Sequence, residues 1–103
     1  MVMPIVGGFD KDGPHVYSVD PVGGVEEDKF MSTGSGSPIA YGVLEDGFKE
    51  GLTREEGIKL AVRSIRSARE RDVFSGGRDI VVVTIDKDGL KFVDKEKTKE
   101  LAK

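Results

Sequence analysis

The chain of 103 residues contains no cysteine. That absence excludes disulfides, thiolate metal sites and cysteine nucleophiles together. It has a single histidine, His15, and its carboxylates fall mainly in solvated runs such as "VEED", so no metal-binding set is legible. There is no excess of positive charge. The net charge is -3 and the isoelectric point about 5.2, which argues against general affinity for nucleic acid or acidic membranes. No apolar run approaches the ~20 residues that span a bilayer, and no basic region precedes an apolar one at the N-terminus. These absences point to a cytoplasmic protein without cofactor, nucleic-acid partner or membrane partner.

What is present reads as a single domain over residues 1–103, too short for two separate cores. The apolar fraction is 37% and the charged fraction 34%, as expected of a globular unit with a heavily charged surface. An apolar strand over residues 2–9 begins almost at Met1, which suggests either a true domain start or the later part of something longer. The turn "DKDGP" leads to a partner strand at residues 15–20, and "PVGG" turns the chain again. Residues 25–34 form a polar strand candidate. The period then changes. Ser37 is a plausible N-cap with Pro38 at the first helical position, and Ile39, Ala40, Val43 and Leu44 line one side of a helix that ends at Gly47.

Residues 52–72 carry the clearest pattern. Thr53 followed by Glu56 is a capping box, and Ile58, Ala61, Val62, Ile65 and Ala68 recur at helical spacing. "DIVVVTID", residues 79–86, predicts a buried strand that "KDG" turns back into residues 90–94. The charged tail predicts a helix that frays or packs on a neighbouring chain. The order is β-β-β-α-α-β-β-α, an α+β class with mostly antiparallel strands and two helices covering one face of the sheets.

"STGSGSP", residues 32–38, is the stretch closest to chemistry. As a phosphate cradle it has a helix N-terminus behind it, but it lacks the Lys-Ser/Thr ending of a P-loop, and a lone Gly-x-Gly is unspecific. As a nucleophile elbow it is one residue too short. His15, in a hairpin, reads as an exposed polar residue rather than the base of a serine site. Asp72 follows the basic helix end "RSARERD" and precedes "SGG". On its own it reads as a solvated helix-terminal carboxylate.

Taken in order, "GGFDKDGPHVYSVDPVGG", "STGSGSPIAYGVLEDGF", "LTREEGIKLAVRSIRSARERDVFSGG" and "DIVVVTIDKDG" resemble the C-terminal half of a proteasome β subunit of the archaeal type. The resemblance runs from about residue 5 to about residue 94. It implies part of an N-terminal nucleophile (Ntn) hydrolase, an αββα sandwich in which an N-terminal threonine attacks a peptide carbonyl with its own amine assisting. Three supporting positions of that family fall on Ser35, Asp72 and Ser75, whose hydroxyls and carboxylate would hydrogen-bond the amine and adjust its basicity. The nucleophile is not matched, because Thr33, Thr53, Thr84 and Thr98 are all internal.

The resemblance therefore implies a threonine-type endopeptidase module for protein degradation that is inactive alone. Its partners would be further copies or complementary proteasome subunits, with unfolded polypeptides as substrates once a site is complete. The rival is a non-catalytic assembly fragment, natural or engineered, that self-associates. A third reading is a small anion-binding regulatory domain using residues 34–37.

Overall fold

A computed structural model describes residues 4–20, 22–71 and 80–103. The elements follow the expected order. β1 (Ile5–Asp10), β2 (Gly13–Val19) and β3 (Val25–Asp28) form an antiparallel meander, and β4 (Val83–Asp86) pairs with β5 (Gly89–Phe92) in a second antiparallel sheet. Between them run α1 (Ser37–Gly47) and α2 (Arg54–Arg71), and α3 (Lys95–Leu101) closes the chain. β4 approaches β1 and β2, so the two sheets adjoin.

The β1–β2 turn places Gly13 at φ +112°, where a side chain would be strained. The start of this turn is held by Asp10, whose Oδ1 accepts from the Asp12 amide at 2.8 Å. The next turn is tied by Asp20, whose Oδ1 accepts from the amides of Val22 at 2.9 Å and Gly24 at 2.8 Å. β3 stops at Asp28 rather than continuing to residue 34. Beyond it, Phe30 turns into the protein and stacks at a tilt on Tyr41 of α1 and on Phe48, with ring centroids 6.3 and 5.2 Å away.

α1 begins one residue earlier than its sequence suggests. Gly36, not Ser37, is the N-cap, and no side chain caps the helix. Ser37 already has helical geometry because its amide donates to Gly34 O at 3.1 Å across a tight turn. α2 has the predicted reciprocal box: Thr53 N donates to Glu56 Oε1 at 2.9 Å, and Glu56 N to Thr53 Oγ1 at 3.1 Å. The Thr53 amide, and after it the Thr53 side chain, hold the Glu56 carboxyl below its ordinary range. Thr53→Ala removes the accepting hydroxyl and is expected to lower stability by ~1 kcal/mol, read as a lower urea midpoint at unchanged m-value.

Among the described residues, the buried apolar side chains are Ala40, Ile58, Leu60, Val62 and Ala68, all on α1 and α2. The predicted stripe on α2 is only partly used, since Ala61 is exposed and Ile65 is 41% exposed. Leu60 is buried instead, with Gly47 at the end of α1 set against it so closely that a Cβ there would collide with its Cδ1. Ser64 is buried too, its hydroxyl satisfied by donation to Ala61 O at 2.7 Å.

The second sheet departs further from expectation. The run that reads as a buried strand is a four-residue strand with an open face: Val81 and Phe92 are each 73% exposed, and Val83 and Leu90 are exposed as well. Val83 stands opposite Phe92 and Ile85 opposite Leu90, so these side chains share one side of the hairpin. The tail packs on its own chain rather than fraying. Asp94 caps α3, Thr98 is 3% exposed, Lys97 pairs with Glu55, and Arg66 Nη1 donates to Lys103 O at 2.6 Å. α3 therefore lies along α2.

Candidate functional site

Ser35 sits at the tip of the turn that feeds α1, between Gly34, with φ +100°, and the buried Gly36. Gly36 O accepts from the amides of Ile39 and Ala40, each at 3.1 Å, and Ala40 is 2% exposed. On the incoming side Phe30 fixes the loop through Tyr41 and Phe48. Ser32 Oγ and Ser37 Oγ meet at 3.3 Å across the loop. The serine is thus exposed on a backbone held at both ends, and its side chain makes no hydrogen bond among the described residues.

The same geometry weighs against an anion cradle. The amides of Ser37, Ile39 and Ala40 already donate within the turn and first helical turn, and Pro38 has no N–H to offer. Four successive positions are thereby closed to a phosphate.

Asp72 and Ser75 lie outside the described residues. α2 ends at Arg71, immediately before Asp72 in the sequence. α1 and α2 pack together through a connection of only residues 48–53, and a helical hairpin of this kind turns the start of one helix toward the end of the other. The threonines of the described residues serve the fold in two cases: Thr53 caps α2, and Thr98 Oγ1 donates to Asp94 O at 3.2 Å.

A second polar constellation escapes sequence reasoning. His15 is not an isolated exposed residue. Its Nδ1 lies 2.6 Å from Glu27 Oε1 and its Nε2 3.0 Å from Asp10 Oδ1, with the side chain 21% exposed. The Glu27 and Asp10 bonds raise the imidazole pKa above its ordinary 6.5, with Glu27 first. Asp10 is shifted below 3.8, mainly by the Asp12 amide and also by His15. Tyr17 stacks on the ring at 5.9 Å, and its hydroxyl is shifted upward by desolvation and then by the two carboxylates. The signal lies in the β1–β2–β3 register, which needs the strand pairing to be read.

Among the described residues, no group of three or more His, Asp or Glu side chains could hold a metal ion. No described helix is long and apolar enough to cross a membrane.

Comparison with known proteins agrees with the motifs. The family model described as "Proteasome subunit" matches residues 1–85. Proteasome subunit beta of Methanobrevibacter smithii is 50% identical over 100 residues, covering 97% of this chain and 48% of the relative. The subunit beta of Methanosphaera stadtmanae is 50% identical over 102 residues, covering 99% of the chain and 49% of that protein. That of Methanosarcina mazei is 50% identical over 100 residues, with 96% and 47% covered. The chain spans about half the length of the curated relatives it matches. Together with the β-β-β-α-α-β-β-α order and antiparallel pairing, these matches show that this chain belongs to the proteasome subunit family.

Proposed function

We propose that the chain is the C-terminal half of a proteasome β-type threonine peptidase, a module of cytoplasmic protein degradation that becomes catalytic when a complementary N-terminal half completes it. One observation carries this reading. The apolar faces of the strands are open, with Val81, Val83, Leu90 and Phe92 side by side, in a chain covering 48% of its relative's length. An open face of this kind marks a surface that another segment covers. A cleft of about 570 Å³ runs beside it, between the hairpin, α3 and Arg69 of α2.

In the completed unit Ser35, Asp72 and Ser75 would stand around the amine of an N-terminal threonine supplied by the other half. Short hydroxyls accept from and donate to that amine, and the carboxylate holds its charged form, so the amine can take the nucleophile's proton and return it. Unfolded polypeptides are the substrates on this reading. The test is co-expression with the preceding segment of the M. smithii relative. Co-purification in a ring-sized particle that hydrolyses fluorogenic peptides, blocked by a threonine-directed covalent inhibitor, is expected. A folded, co-purifying pair without hydrolysis would overturn the catalytic reading, and failure to associate would overturn the completion itself.

The alternative, a non-catalytic assembly element, is favoured for the chain alone by its threonines. Thr33, Thr53, Thr84 and Thr98 are all internal and have no free α-amine. On that reading the open hairpin face drives self-association, and light scattering would show a defined oligomer of this chain without any partner.

A further inference from the structure

We propose that His15 is a pH-governed clasp that joins the β1–β2 turn to β3 when protonated and releases the turn when neutral. The strand register brings its parts together. His15 is opposite Gly8 on β1, while Glu27 is opposite Tyr17 on β2 and Asp10 is opposite Gly13. Alternation along paired strands then puts Asp10, His15, Tyr17 and Glu27 on one face of the sheet. The histidine is in the central strand, and each carboxylate is its diagonal neighbour on a different flanking strand, within reach of a long side chain.

The distances complete the arrangement. One ring nitrogen meets Glu27 at 2.6 Å and the other meets Asp10 at 3.0 Å. An imidazolium has two N–H donors and satisfies both carboxylates, whereas a neutral imidazole has one donor and one lone pair. Deprotonation therefore leaves a lone pair facing one of the carboxylates. The shorter bond, to Glu27, keeps the remaining N–H, so the bond to Asp10 is the one that breaks. Asp10 also accepts from Asp12 N at 2.8 Å, which makes the whole turn move with it.

The surroundings favour the charged ring. Asp12 stands in the turn next to Asp10, Tyr17 stacks from β2, and β3 adds Asp28 beyond Glu27, with Lys29 just past the strand end. Lys49 and Glu50 line the same cleft of about 640 Å³, and Lys29 Nζ reaches Glu50 Oε1 at 3.4 Å across it. With Asp10 on the other side of the ring, the groups around it comprise the carboxylates of Asp10, Glu27, Asp28 and Glu50 against the ammonium groups of Lys29 and Lys49; a charge on His15 offsets part of that excess.

The direction of the pH effect follows. Because the His15 pKa is raised on folding, its contribution is fully present below 6.5 and is lost as pH rises through the folded value. Because Asp10 is lowered, its contribution is present above 3.8 and is lost as pH falls through its folded value. The clasp is closed between these limits.

His15 is the chain's only histidine, so one ring signal reports it. Chain with ¹³C-labelled histidine is titrated by NMR, either alone or with unlabelled complementary half. The expected midpoint lies above 6.5, and the amides of residues 10–13 titrate with the same midpoint. Glu27→Gln and Asp10→Asn each bring the midpoint down, and Asp10→Asn removes the response of the turn. A midpoint at or below 6.5, or one unmoved by both variants, overturns the clasp. So does a raised midpoint to which residues 10–13 are indifferent, since His15 would then carry charge without moving the turn.

Discussion

Val62→Asp is expected to abolish cooperative folding of the chain, whereas Ile65→Asp, one turn along the same helix, leaves it folded. Val62 is 1% exposed, and an unpaired carboxylate there would lose its hydration without gaining a cation. A buried uncompensated charge costs about 3–5 kcal/mol, a large part of what a small domain has to spare. Ile65 is 41% exposed, so its aspartate keeps its water and costs less than ~1 kcal/mol. Circular dichroism with urea titration separates the two. In the completed particle the order changes: if the missing half covers the open side of α2, Ile65→Asp blocks assembly while leaving the isolated chain intact. Equal tolerance of Ile65→Asp in both states would mean that nothing packs on that side.

If the chain completes a threonine peptidase as proposed, Asp72→Asn and Ser35→Ala are expected to lower kcat with little change in KM. Neither residue is proposed to hold the polypeptide; on the proposed function both would act on the proton inventory of the threonine amine. Removal of a positioned acid–base group typically costs 10²–10⁴-fold, and the larger effect is expected for Asp72, which in that role would supply charge as well as a hydrogen bond. Ser35 is exposed at a turn tip, so its truncation removes a hydroxyl without opening a core cavity and leaves thermal stability unchanged. A rise in KM at constant kcat would assign these residues to substrate binding instead. The 103-residue chain alone should show no turnover blocked by a threonine-directed inhibitor.

Element order is legible in the sequence because its signals are local. The Thr53–Glu56 box, the period of α2 and the glycine turns each act over a few residues, and the structure follows them. The turn around Ser35 is legible for the same reason, although its cap is Gly36. What cannot be read depends on pairing between distant residues. His15 gains its two carboxylates only once β1, β2 and β3 are in register. Leu60 is buried where the end of α1 closes on it at Gly47, which the spacing of α2 alone does not contain. The β-branched composition of residues 79–86 suits a buried strand, but composition reports what a strand can pack against, not whether that surface is there. Asp72 and Ser75, which lie outside the described residues, are proposed through the family motif alone.

Among the described residues the five buried apolar side chains are confined to α1 and α2, which has a consequence for the order of folding. Contacts within a helical hairpin close short loops, so they form early and at little entropic cost. The described strands have no fully buried apolar residue of their own, and their free energy of opening is set by whatever later covers them. The helical pair is thus a folding seed that persists while the sheets wait, and assembly of the whole unit becomes a step in the folding of this half.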